Sequence, residues 1–237
     1  MIATGFVENG ARVYISSRSA DVCNKVAEEL TEHGPGVCIS LPADLQNMSD
    51  IEKLAEAISK REPGGLDVLI NNAGASWGAS IDEYPESAFN KLMNLNVINV
   101  FFLTQKLMPL LQKKGTFDCP SRIINIGSIA GIVTHNNMFA YTASKASLHH
   151  MSKTMAIALG PRHITVNSVA PGVFPSSMTK ELLKRDGENI VQGNLMNRIG
   201  RPNDIAGACI YLASRAGSYV NGDVLVVDGG SSIAPKL

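Results

Sequence analysis

A doubly wound α/β fold built on a parallel sheet is what this sequence predicts, and three observations carry the prediction. Short apolar runs rich in Val, Ile and Leu recur along the chain and alternate with stretches of helical periodicity. The runs show little polar alternation, as expected of strands covered by helices on both faces. The 237 residues include 45% hydrophobic side chains, enough for one domain with a substantial core.

The elements follow in order. Met1, Ile2, Phe6 and Val7 have helical spacing and Gly10 supplies a stop, so the first ten residues read as a helix. Strands are expected over 11–16, 36–41, 66–71, 122–127, 165–170 and 223–227, with helices between them. The stretch 174–201 breaks this rhythm, because Pro175, Gly187, Gly193 and Gly200 punctuate polar helical pieces. It is expected to form a lid over a ligand crevice, within a single domain spanning 1–237.

Charge and cysteine usage exclude several classes of function. The 21 basic and 21 acidic residues balance, which argues against nucleic acid or an acidic membrane surface as a partner. Cys23, Cys38, Cys119 and Cys209 form no Cys-x-x-Cys pair, and no carboxylate or histidine cluster has metal-ligand spacing, so no metal site is expected. No apolar run approaches the roughly 20 residues of a membrane span, and the first residues lack signal-peptide character. A cytoplasmic location is the expectation.

The chemistry is concentrated in Ser128, Tyr141 and Lys145. Ser128 follows the apolar run 122–126, and Tyr141-Thr-Ala-Ser-Lys145 comes shortly after. On a helix, Tyr141 and Lys145 are i and i+4 neighbours, so an ammonium beside the phenol would favour its ionised form. Such a tyrosine can exchange a proton with a carbinol oxygen near neutral pH, which an unperturbed phenol at about 10 cannot.

This spacing, with the order of elements around it, resembles the short-chain dehydrogenase/reductase family and its Rossmann-type sheet. Further stretches agree. Asn71-Asn72-Ala73-Gly74 follows a strand, as in the family segment that borders the adenosine side of the cofactor; it would also serve as a simple polar turn. Asn96, within Met93-Asn94-Leu95-Asn96-Val97, matches the family's helix asparagine, which helps hold a water between the lysine and bulk solvent; Asn94 and Asn99 are competitors by sequence. Pro171-Gly172-Val173 resembles the segment that packs on the nicotinamide, and Ser176 stands where a threonine hydroxyl usually meets the carboxamide. Asp44-Leu45 resembles the family's adenine contact, although Asp44 could equally cap the next helix. Asp228-Gly229-Gly230 matches a C-terminal signature read as structural.

After the first strand the chain offers Ser17 and Arg18 rather than an acidic residue. A carboxylate there would repel a ribose 2′-phosphate, whereas a guanidinium matches it, so the resemblance implies NADPH. The 3-oxoacyl reductase-like members, including rhamnolipid-type β-ketoacyl reductases, are the most similar, through Gly74-Ala75-Ser76-Trp77-Gly78 and Phe174-Pro175-Ser176-Ser177-Met178. The implied reaction is NADPH-dependent reduction of a ketone, 3-oxoacyl or polyketide-like. Tyr141 would be the proton donor, Ser128 would hold the oxygen, Lys145 would lower the phenol's pKa and bind the nicotinamide ribose, and Asn96 would complete a proton path.

Family members open with a strand and a Thr-Gly-x-x-x-Gly-x-Gly turn that cradles the pyrophosphate, whereas this sequence reads as starting just beyond that turn. The fold is therefore expected to lack the family's first, central strand and its glycine-rich turn, and cofactor binding is expected to be weak. The alternative is a catalytically impaired member serving as a non-catalytic binding subunit. A homotetramer or dimer is expected by resemblance, with Leu148, Met151, Met155 and Leu159 available either for a subunit face or for burial against the sheet. His149 and His150 read as packing or surface residues, and His135, Asn136, Asn137 and Met138 as candidates for the substrate mouth.

Overall fold

The computed structural model describes residues 1–234. Helix α1 (Ile2–Glu8) comes first, and Gly10, at φ +84, turns the chain into strand β1 (Arg12–Ile15). Helix α2 (Ala20–His33), β2 (Val37–Ser40), α3 (Met48–Arg61) and β3 (Val68–Asn71) follow. Helix α4 (Glu86–Met93) runs through a π-helical turn, Asn94–Ile98, into α5 (Asn99–Lys114). Then come β4 (Ser121–Ile126), α6 (Phe139–Leu159), β5 (Ile164–Pro171), α7 (Lys180–Gln192), α8 (Pro202–Ala213) and β6 (Val224–Val227). Each strand expected from an apolar run is present, within two residues at either end.

The strands pair in parallel as two sets, β1-β2 and β3-β4-β5-β6. No ladder joins β1 to β3 among the described residues, so each has an edge without a strand partner. Val13, Ile15, Val68 and Ile70 on these two strands are only partly buried, while the central β4 and β5 are closed almost throughout. The register Ile123↔Val166 and Ile124↔Asn167 places the ends of β4 and β5 side by side.

Helices cover both faces, as the uninterrupted apolar runs require. On one side α3, α5 and α6 pack Ile51, Leu107, Leu111, Met155 and Leu159 against Leu69, Ile123 and Val166. On the other, Ile124 and Val169 meet Ile205, Cys209 and Leu212 of α8, with Ile2 and Phe6 of α1 alongside. Close approach there needs glycine: a Cβ on Gly5 would lie 2.7 Å from the Ala206 Cβ.

The helix α6 question is settled in favour of the core. Leu148, Met155 and Leu159 are buried, and Met151 packs against the same cluster. The stretch 174–201 contains α7, which buries none of its residues and is broken at Asp186 by non-helical φ/ψ. Its flanks are tied down: Gly200 N–H donates to the Val173 carbonyl and Asn194 Nδ2 to the Asp228 carbonyl. No helix of the described residues is long and apolar enough to cross a membrane.

Candidate active site

The site forms where β4 ends. Ser128, in extended backbone at φ −172, begins a 3-10 turn, Ile129–Gly131, and its Oγ accepts the Ala130 N–H at 3.1 Å. This turn sits directly on α6, since a Cβ on Gly131 would lie 2.7 Å from the Ala146 nitrogen. Tyr141 occupies the first turn of α6 and Lys145 the next, on one face as the spacing required. Lys145 Nζ donates to the Ile126 carbonyl at 2.8 Å and lies 5.8 Å from the centre of the Tyr141 ring.

Burial dominates the electrostatics. It pushes the Lys145 amine down to about 8 and the Tyr141 phenol above its usual value, while hydrogen bonding with the Ser128 side chain acts on Tyr141 in the opposite direction. In this structure the phenol is raised rather than lowered, and the Lys145 ammonium is turned to the Ile126 carbonyl.

Asn96 is fully buried in the π-helical turn, where the widened helix points it inward. Its Nδ2 donates to the Ala75 carbonyl and to Ser144 Oγ, both at 3.0 Å, and its Oδ1 accepts the Ala75 N–H at 2.9 Å. Both amide hydrogens are thus taken by protein, so only the oxygen's remaining lone pair is available for a water. The competing Asn99 instead donates to the Leu45 carbonyl. A Cβ on Gly74 would lie 3.2 Å from Asn96 Oδ1 and 3.5 Å from Lys145 Nζ, so the backbone at Gly74 borders both candidate side chains.

A buried polar network supports this corner of the sheet. Asn71 Nδ2 donates to Thr104 Oγ1 and Asn125 Oδ1, Asn125 Nδ2 donates to Ser152 Oγ, and Ser168 Oγ donates to Ser152 Oγ. The Asn71 Oδ1 and Ser16 Oγ atoms are buried without a partner, one on the edge strand β3 and the other just past β1. The space they border suits a polar ligand at the C-terminal ends of the strands.

Comparison with known proteins decides the family. A family model described as enoyl-(acyl carrier protein) reductase matches residues 1–232. The chain belongs to the short-chain dehydrogenase/reductase family. Among curated members of this oxidoreductase family, the rhamnolipids biosynthesis 3-oxoacyl-[acyl-carrier-protein] reductase of Pseudomonas aeruginosa is 43% identical, covering 97% of this chain and 90% of the relative. The 7alpha-hydroxysteroid dehydrogenase of Escherichia coli is 35% identical, over 97% and 88%. A solved Pseudomonas aeruginosa RhlG/NADP active-site complex superposes with TM-score 0.93 at 42% identity, covering 98% of this chain and 90% of that one. A 7alpha-hydroxysteroid dehydrogenase complexed with NADH and 7-oxo glycochenodeoxycholic acid has TM-score 0.89 at 32% identity, over 97% and 88%.

In this short-chain dehydrogenase/reductase the remaining sequence-derived positions fall along the strand ends. Ser17 and Arg18 lie exposed between β1 and α2, and Arg18 joins none of the ion pairs among the described residues. Asp44 and Leu45 follow β2; Asp44 Oδ1 accepts the Gln46 N–H, while Asn47 takes the cap position of α3. Asn72 and Ala73 are exposed beyond β3. Pro171 closes β5, and Gly172 is required there, since a Cβ would lie 2.8 Å from the Asp228 Cβ. Ser176 Oγ is engaged with Thr179, accepting its backbone N–H at 3.2 Å, so that hydroxyl organises the entry to α7. Asp228 accepts the N–H groups of Gly230 and Ser232, a structural turn. His135 to Asn137 are exposed, and the Asn137 carbonyl accepts the Ala79 N–H.

Sequence reasoning missed Ser144 and read His149 only as a packing or surface residue. Ser144 Oγ donates to the Tyr141 carbonyl while accepting from Asn96, linking two catalytic candidates. His149 is buried against Gly127, one turn beyond Lys145. The regular four-residue spacing of Tyr141, Lys145 and His149 was the available signal.

Proposed function

We propose that this protein reduces a ketone, of 3-oxoacyl or polyketide-like class, to a secondary alcohol with NADPH. The observation that carries the reading is the convergence of Ser128, Tyr141, Lys145 and Asn96 beside the open backbone at Gly74. A nicotinamide cofactor fits that corner: Gly74 lets the backbone approach Asn96 and Lys145, and the unpartnered Asn71 Oδ1 and Ser16 Oγ lie at the C-terminal ends of β3 and β1.

When bound, NADPH supplies the hydride for the carbonyl carbon. Tyr141 gives its phenolic proton to the carbonyl oxygen, and a phenol held protonated by burial is in the state this donation needs. Ser128 donates its hydroxyl hydrogen to the same oxygen and so fixes the ketone against Tyr141. Lys145 would hold a positive charge near the ring as the proton leaves it and would bind the nicotinamide ribose. Asn96 clamps the Ala75 backbone to α6 through Ser144, which keeps Gly74 and Lys145 in register. Arg18 would pair with the 2′-phosphate, with Ser17, Asp44, Leu45, Asn72 and Ala73 along the adenosine and Pro171, Gly172, Val173 and Ser176 along the nicotinamide.

The choice of NADPH rests on Arg18 and the NADP-bound neighbour; the NADH-bound neighbour makes the choice a question of this residue. The β1 and β3 edges without a strand partner among the described residues are what would favour a non-catalytic binding subunit instead. The exposed Ile98, Phe101 and Ile157 on the α5 and α6 side support a homo-oligomer. A cytoplasmic location accords with the free cysteines.

The test is NADPH oxidation, at saturating cofactor, against a panel of 3-oxoacyl thioesters, polyketide-like diketides and steroid ketones. Turnover of the 3-oxoacyl and diketide substrates is expected. A folded, NADPH-bound protein that reduces no ketone of the panel would leave the binding-subunit reading in its place.

A further inference from the structure

His149 lies on the Tyr141 and Lys145 face of α6, one turn further on, and is 6% exposed. Its Nε2 is 3.4 Å from the Ser128 backbone nitrogen and is positioned to accept that N–H. The ring fills the place of a side chain at Gly127: a Cβ there would lie 1.9 Å from Nε2. Three successive backbone groups at the end of β4 are therefore held: Ile126 O by Lys145 Nζ, Gly127 N–H by the Val169 carbonyl, and Ser128 N–H by His149.

We propose that His149 is a positioning residue of the reductase site, acting as a neutral imidazole that accepts the Ser128 amide and fixes the turn presenting the Ser128 hydroxyl. The inference rests on the ketone-reductase reading for its effect on rate, but the hydrogen bond itself does not. An unprotonated Nε2 requires the proton on Nδ1, so one tautomer is assigned. A protonated ring could not accept the amide, and it would set a second cation beside Lys145 and near Lys153, the two charges that disfavour it. Without the imidazole, the part-buried Ser128 N–H loses its acceptor, and the turn is free to shift towards another, which carries the serine hydroxyl with it.

Two variants separate positioning from packing. His149→Gln can place an amide oxygen near the Nε2 position, whereas His149→Leu fills the volume without an acceptor. At saturating NADPH, His149→Leu should lose roughly ten- to a hundredfold in kcat, the range expected when a catalytic group is displaced by about an ångström, and His149→Gln should stay within about threefold of wild type. NADPH affinity should be unchanged in both, measured by fluorescence titration.

Nitrogen-15 NMR of the wild type should show the Nδ1–H tautomer near neutral pH. An Nε2–H tautomer would overturn the proposal whatever the kinetics, because that nitrogen could not accept. So would a His149→Leu enzyme with wild-type kcat, or a His149→Gln enzyme as impaired as His149→Leu. If wild type and both variants all lack activity, the reductase reading fails, and the tautomer together with hydrogen exchange at the Ser128 amide still decides whether His149 holds the turn.

Discussion

Lys145 Nζ donates to the Ile126 carbonyl at 2.8 Å, tying α6 to the end of β4 just before Ser128. The amine is almost fully enclosed, and with no carboxylate beside it burial lowers it from 10.5 to about 8. The unfolded chain therefore binds this proton more tightly than the folded one. Between pH 8 and 10.5 the unfolded state holds more protons, so stability rises with pH across that window. A displacement of that size corresponds to roughly 3 kcal/mol at most. Lys145→Met should remove this rise while abolishing ketone reduction. Urea unfolding of both proteins at pH 7, 8, 9 and 10 is the check; parallel stability curves would contradict the buried-cation account.

The acid limb belongs to His149. Its folded-state value is lowered from 6.5 to about 4, chiefly by burial and then by Lys145 and Lys153. As pH falls through that interval the unfolded chain takes up the proton first, so stability is lost progressively from about 6.5 to about 4. His149→Gln should show a shallower loss of Tm over the same range. Equal slopes for the two proteins would show that the histidine titrates freely in the folded state.

Cofactor discrimination should follow Arg18. The side chain stands exposed after β1 with no ion-pair partner among the described residues, free to meet a phosphate. Arg18→Glu should weaken NADPH by at least about tenfold through lost pairing and added repulsion, with NADH affected less than threefold. Isothermal titration with both cofactors measures this. An unchanged NADPH to NADH ratio would remove Arg18 from the site.

The fold was legible where burial on both faces imposed uninterrupted apolar runs. Ile123 and Ile124 are both zero per cent exposed because one faces α3, α5 and α6 and the other α8, and such strands announce themselves without any partner being known. The helix ahead of β1 was equally plain, because Phe6 and Val7 must face inward while Gly10 must turn. The triad was legible because helical spacing alone brings Tyr141 and Lys145 together. Its electrostatics were not: whether the ammonium faces the phenol or the Ile126 carbonyl depends on how α6 lies against β4, which no local pattern encodes. Asn96 could be preferred only by resemblance, since its contacts with Ala75 and Ser144 depend on the π-helical turn, a register shift that does not show in the order of residue types. His149 could be read only as a packing or surface residue for a similar reason. Its value depends on Gly127, a neighbour twenty-two positions away that leaves room for the ring.

The central claim is that Tyr141 is the proton donor in ketone reduction, and Tyr141→Phe tests it most directly, because it removes one hydroxyl from a ring whose packing remains. In single-turnover reduction of a 3-oxoacyl thioester at saturating NADPH, the account predicts a loss of about 10²- to 10⁴-fold in rate with cofactor affinity unchanged. A Tyr141→Phe protein that reduces the ketone at the wild-type rate would contradict it.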